Sequence, residues 1–129
     1  DWVNALAVLP DGRLASGSND WTVRLWDVGT RTCVGVLTGH TDHVTALAAL
    51  PDGRLVSGSS DNTVPVLVWD TRPAAAAGGR HAAGTTPMVV IARGLRTLFA
   101  LLLLPDGRLA CADRTNVHLL HVPPPAPYD

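Results

Sequence analysis

Leu9-Pro10-Asp11-Gly12-Arg13-Leu14, Leu50-Pro51-Asp52-Gly53-Arg54-Leu55 and Leu104-Pro105-Asp106-Gly107-Arg108-Leu109 are three copies of one phrase. The first two copies begin 41 residues apart and the last two 54 apart. Self-similarity at a period of about 40–45 residues suits a unit of four short strands. The phrase reads as a hairpin turn. Pro presets φ at the first corner, Asp can bond the backbone ahead of it, and Gly accepts positive φ.

Strand-like runs flank each copy. In the first repeat they are Trp2 to Val8, Arg13 to Gly17, Thr22 to Trp26 and Thr32 to Leu37, with a second turn at Ser18-Asn19-Asp20. Alternation of apolar and polar residues marks half-buried strands. The second repeat predicts strands over Val44 to Ala49, Arg54 to Ser59, Thr63 to Trp69 and Pro87 to Ala92. The third predicts Thr97 to Leu103, Arg108 to Ala112 and Asn116 to Val122, and stops before a fourth strand.

Composition agrees. The 129 residues are 47% hydrophobic and 16% charged, which suits a packed core rather than a disordered tail. All basic residues are Arg and all acidic residues are Asp. The strong helix formers Glu, Lys and Gln are absent, whereas Gly and Pro are frequent. Without Lys there is neither a phosphate-binding P-loop lysine nor a Schiff base. The net charge of −1 gives no basic surface for nucleic acid or an anionic membrane. Leu101 to Leu104 is too short to span a bilayer, and no signal peptide is evident. Cys33 and Cys111, each inside a strand-like run, read as two small buried hydrophobes. The chain starts at Asp1 without an initiator Met, which reads as a piece of a longer chain.

Four signals recur in fixed order: Gly39-His40, the Pro-Asp-Gly turns, Ser16-Gly17-Ser18-Asn19-Asp20 with Ser57-Gly58-Ser59-Ser60-Asp61, and Trp26-Asp27 with Trp69-Asp70. On these residues the sequence resembles the WD-repeat β-propeller family, over nearly the whole chain except the loop after Asp70 and the tail. The resemblance implies an all-β partial β-propeller of about three four-stranded antiparallel blades, the last incomplete. It divides residues 1–129 into blade one (1–38), blade two (39–92, with a loop at 72–86), blade three (93–122) and a tail (123–129). Pro65, which lacks the N–H of a central strand, predicts a bulge or break in the segment before Trp69.

The recurring Ser, His and Asp invite comparison with a hydrolase triad. The resemblance instead implies a structural tetrad: His40, Ser57, Asp61 and Trp69 in blade two, and Ser16, Asp20 and Trp26 in blade one. A buried indole N–H needs an acceptor, which Ser can supply while passing the network on to His. No Gly-x-Ser-x-Gly elbow is present. Blade three is worn: Gly94 lies near the expected His, Cys111 replaces Ser, and Leu120-His121 replace Trp-Asp. Asp113 is expected to keep the Asp role one residue out of register. His118 and His121 fall on opposite faces of a strand, and no cluster has metal-ligand spacing, so neither metal nor cofactor is expected.

The expected function is a scaffold for protein–protein interaction with no catalysis of its own. A substrate-recognition propeller of a larger assembly such as a ubiquitin ligase is the alternative, and a mispredicted or truncated gene product is a third reading. The resemblance implies that proteins or peptides dock on the top face, where the turns into the first strand and between the second and third strands emerge. Candidate residues there are Trp2, Asn4, Asn19, Trp21, His43, Thr45, Ser60, Thr97 and Phe99. Three blades do not close a ring, so further blades of a parent chain or self-association are expected to complete it. The expected compartment is intracellular, cytoplasm or nucleus.

Overall fold

The computed structural model describes residues 1–60, 66–71, 89–92, 98, 100–114 and 116–122. Their strands are β1 (Val3–Val8), β2 (Leu14–Ser18), β3 (Val23–Asp27), β4 (Thr32–Leu37), β5 (Val44–Ala49), β6 (Arg54–Ser59), β7 (Val66–Asp70), β8 (Val89–Ala92), β9 (Ala100–Leu103), β10 (Leu109–Ala112) and β11 (Val117–Leu120). They form three antiparallel meanders, β1-β2-β3-β4, β5-β6-β7-β8 and β9-β10-β11. Among the described residues there is no helix. The expected bulge at Pro65 and the loop 72–86 lie outside the described residues.

The repeated phrase makes the same turn three times. In the first copy Leu9 N–H donates to Arg13 O (2.8 Å) and Gly12 N–H to Leu9 O (2.9 Å). Gly12, Gly53 and Gly107 have φ of 93°, 92° and 88°, a region closed to most side chains. Each turn is also clamped by its own ion pair. Asp11, Asp52 and Asp106 accept both the backbone N–H and the Nε–H of the Arg two residues on, at 2.7–3.1 Å. These bonds hold the Asp106 carboxyl below the ordinary carboxylate range, the Arg108 backbone N–H first and its side chain second.

Sheet faces stack on one another. The first core joins Leu9, Ala15, Val23, Leu25 and Leu37 to Val44, Leu47, Leu55, Leu67 and Trp69. The second joins Ala48, Leu50, Val56, Val66 and Val68 to Leu98, Leu109 and Cys111. The middle sheet is therefore covered on both faces, and all six residues of β6 and all five of β7 are buried. Alternation gives way to continuous burial because both sides of the pleat meet apolar neighbours.

Close stacking needs small residues at the crossing. A Cβ on Gly17 would lie 2.5 Å from Val44 Cγ1, whereas one on Gly58 would meet Leu98 and Leu101 at 3.4 Å. Gly17→Ala is therefore expected to lose about 1–3 kcal/mol of stability by overpacking. Gly58→Ala, at ordinary contact distance, should lose less. Urea midpoints of the two variants check the order, and equal midpoints would contradict it.

One expectation is corrected. Cys111 is buried, but Cys33 is exposed. Cys33 lies on β4, the outer strand of its sheet, where the pairing slips between Leu25 and Trp26 and leaves Val34 unpaired in the register. An edge strand with a bulge turns side chains to solvent that a central strand would bury.

Candidate functional site

The turns that begin β1 and β5 and those that join β2 to β3 and follow β6 come together at the ends of the sheets opposite the Pro-Asp-Gly hairpins. Asn19 N–H donates to Trp2 O (2.9 Å), and Ser60 N–H donates to His43 O (3.0 Å) at the matching place in the second sheet. Trp2 and His43 are set alike, each N–H bonded to the carboxylate of the preceding Asp (2.8 and 2.7 Å).

Trp2 is 76% exposed and Trp21 49%. Trp21 also has φ of 75°, closing the turn by donating its N–H to Ser18 O (3.3 Å). A bulky side chain in the left-handed region is an outlier. The turn is held by Asp20, which accepts from Thr22 N (3.0 Å) and Thr22 Oγ1 (2.6 Å). Those bonds, the Thr22 hydroxyl foremost, with help from Ser18 and Arg24, keep the Asp20 carboxyl below its ordinary value of 3.8.

Asn4 and Thr45 are engaged differently from the others. The β1–β2 register slips between Val3 and Ala5, and the β5–β6 register between Val44 and Ala46, so Asn4 and Thr45 are the extra residues of two matching bulges. A bulge re-aims a side chain and interrupts strand alternation. Asn4 Nδ2 reaches Val44 O in the second sheet (3.1 Å) and Asn19 Oδ1 (2.6 Å). Thr45 Oγ1 donates to Leu98 O at the start of the third sheet. Both side chains link neighbouring sheets, which alternation alone did not reveal. Thr97 and Phe99 lie outside the described residues.

Beneath this end sit the buried polar groups. Trp69 Nε1 donates to Ser57 Oγ (2.7 Å), and Ser57 Oγ lies 2.5 Å from His40 Nε2. The His40 and Trp69 rings are 6.2 Å apart and tilted by 60°. Ser57 and Trp69 are both at 0% exposure. A hydroxyl held between an indole and an imidazole, with no exposed surface, presents no nucleophile to a substrate. In the first sheet Trp26 Nε1 likewise donates to Ser16 Oγ (2.9 Å). Asp61 lies outside the described residues.

The third sheet carries a different arrangement. Leu120 pairs with Leu109 as Trp69 pairs with Leu55 and Trp26 with Leu14, so it holds the Trp position. Asp113 N–H donates to Asn116 O (3.1 Å), as Ser18 N–H does to Thr22 O, which places Asp113 where Ser18 stands, in a turn one residue shorter. It caps that turn through Asn116 N (2.8 Å) and pairs with His118 Nε2 (2.9 Å). Cys111 lies directly opposite His118. Burial, and secondarily the Asp113 carboxylate, push the Cys111 thiol up, which keeps it protonated rather than nucleophilic. In the first sheet Asp20 and Arg24 also pair (3.8 Å), but four residues apart rather than five and from a different turn position, so their spacing does not signal the Asp113–His118 pair. Among the described residues no three His, Cys or Asp side chains are grouped as metal ligands.

The family description "WD domain, G-beta repeat" matches residues 1–27 and 31–70, more than half of the chain. This chain belongs to the WD-repeat family. The WD40 β-propeller domain of Doa1 superposes with a TM-score of 0.73 at 26% identity, over 93% of this chain and 36% of that one. A probable E3 ubiquitin ligase complex SCF subunit sconB from Emericella nidulans is 49% identical over 45 residues, 34% of this chain and 7% of that protein. A Lissencephaly-1 homolog from Glossina morsitans morsitans is 61% identical over 31 residues, 24% of this chain and 8% of that protein. The WD-repeat chain thus spans a small part of the relatives it matches. Among the described residues it is a partial propeller of three stacked sheets.

Proposed function

We propose that this WD-repeat chain is a non-catalytic interaction scaffold that receives a protein or peptide at the end bearing Trp2 and Trp21. The exposure of these two indoles on adjoining turns carries the reading. Neither serves the buried network, where Trp26 and Trp69 bond the serines. Exposed aromatic side chains are enriched among interface hot spots. Asn19 between them and His43 and Ser60 on the next sheet supply a polar rim. Asn4 and Thr45 support that rim by tying the sheets together, and Thr97 and Phe99 extend it in sequence.

A substrate-recognition role within a ubiquitin ligase is the second reading, favoured by the similarity to sconB. A short stretch of the chain also matches a Lissencephaly-1 homolog, so similarity of this kind does not single out one assembly. Propeller domains of this family are generally scaffolds, and an intracellular setting, cytoplasm or nucleus, goes with that role.

The test uses peptides selected from a displayed library on the wild-type chain. Truncating one hot spot costs about 2 kcal/mol or more, so Trp2→Ser with Trp21→Ser should weaken the selected peptides by at least about thirtyfold. The melting temperature should stay unchanged, because both rings are exposed. A collapse of stability would make the indoles core residues, and unchanged peptide binding would move the site elsewhere.

A further inference from the structure

Asn4 and Asn19 form a pair of side-chain amides whose orientation the fold dictates. Val44 O can only accept a hydrogen bond, so the Asn4 atom 3.1 Å from it is the nitrogen, Nδ2. That nitrogen carries two hydrogens. The second goes to Asn19, 2.6 Å away, which must therefore present its oxygen, Oδ1. Two polar atoms of the pair are left over, the acceptor Asn4 Oδ1 and the donor Asn19 Nδ2. Among the described residues neither is hydrogen bonded. Asn4 is exposed and Asn19 half-buried, so both side chains reach solvent.

The pair stands between the turns that carry the two exposed indoles. Asn19 N–H holds Trp2 O (2.9 Å), Trp21 follows two residues later in the same turn, and Asn4 is pinned to the carbonyl next to His43. The second sheet has no such pair. There Thr45 turns its hydroxyl to Leu98 O, and Ser60 stands where Asn19 does. This end of a sheet stays exposed when another sheet stacks on its face. His43 holds the Trp2 position of the second sheet and is exposed, although the first sheet packs on that sheet.

A free acceptor beside a free donor is the complement of a peptide group. In an extended chain the N–H and C=O of one residue point to the same side, as they do when two opposed residues exchange both bonds in an antiparallel ladder. We infer that the amide pair reads the main chain of the bound partner. An extended peptide crosses the turn, and one of its residues donates its N–H to Asn4 Oδ1 and accepts Asn19 Nδ2–H on its C=O. That residue is not proline, which has no N–H. This pairing rests on the peptide site proposed at Trp2 and Trp21 and adds the class of ligand, an extended segment gripped by its backbone.

The test uses a peptide selected on the wild-type chain. Each of its amides is replaced in turn by an ester, which removes one N–H. One position should weaken binding by about fivefold, the net worth of a hydrogen bond, and the others little. Asn4→Ala should bind the unmodified peptide about fivefold more weakly, and the sensitive ester should cause that variant no further loss. Asn19→Asp keeps an oxygen for Asn4 Nδ2 but sets a second acceptor against the ligand carbonyl. It should weaken binding by about tenfold at an unchanged melting temperature. Esters that all act alike, an ester effect that persists in Asn4→Ala, or wild-type binding by Asn19→Asp would each overturn the pairing. If only Trp2→Ser with Trp21→Ser weakens binding, the indole site stands and the backbone contact falls. If only the amide variants and the ester do, the indoles are not the anchors and the amide pair stands. Failure to select any peptide overturns both. Should Asn19→Asp lower the melting temperature, the ester scan on the wild-type chain decides alone.

Discussion

Trp69→Ala is expected to lower unfolding free energy by about 3–5 kcal/mol, the range for truncating a large buried aromatic. The indole has no exposed surface, lies in the core shared by the first two sheets and donates to Ser57. Truncation opens a cavity and removes a donor at once. Leu120→Ala, at the corresponding place in the third sheet, should cost about 2 kcal/mol or less, the low end for Leu→Ala. Leu120 is half-buried, and no network depends on it. Urea denaturation at one fixed protein concentration checks the order, since association adds to apparent stability. A larger loss at Leu120 would contradict the role given to Trp69.

Ser57→Ala is the second large effect. The side chain shrinks by one atom, so little packing is lost. Two buried polar groups, Trp69 Nε1 and His40 Nε2, lose their shared partner. Leaving a buried polar group unsatisfied costs about 1–3 kcal/mol, so the pair should cost about 2–4 kcal/mol. Ser16→Ala removes the matching bond from Trp26, but that ring is half-buried and water can replace the serine. Its cost should be about 1 kcal/mol or less. Equal losses for the two serines, read from the same denaturation curves, would show that burial does not set the value of this bond.

The hairpins were the most legible part of the fold. Pro-Asp-Gly dictates its own turn through local chemistry, and all three copies turn where the sequence places them. Strand order followed, because short turns allow only meanders. The serine–tryptophan pairs were expected from the family resemblance, and each closes within one hairpin although the two spacings differ, 10 residues in the first sheet and 12 in the second. Contacts made between sheets were not. Arg13 reaches a carbonyl 58 residues away, and nothing near it in sequence announces that partner. Asn4 and Thr45 were expected among the top-face residues, whereas each sits in a bulge that no Gly or Pro marks and bonds to the neighbouring sheet. The pairing of Asp113 with His118 was missed for a related reason. In the third sheet the acid stands at the Ser18 position in a turn one residue shorter, so neither the tetrad spacing nor that of Asp20 and Arg24 points to it. Cys33 was misplaced because a strand-like run does not say whether its strand is central or at an edge.

The left-handed backbone of Trp21 has an evolutionary consequence. Holding a side chain of that size at positive φ costs about 1–2 kcal/mol relative to Gly, with Asn easier than most. The second repeat places Asn62 at this point in its sequence. Random drift filtered only for a sound fold would therefore replace Trp21 early, since nearly any exchange for Gly or Asn is an improvement by that measure. Descendants of this chain that keep an aromatic there would be those under pressure from something other than folding. The codon for residue 21 becomes a marker of whether a lineage still uses this end of the molecule.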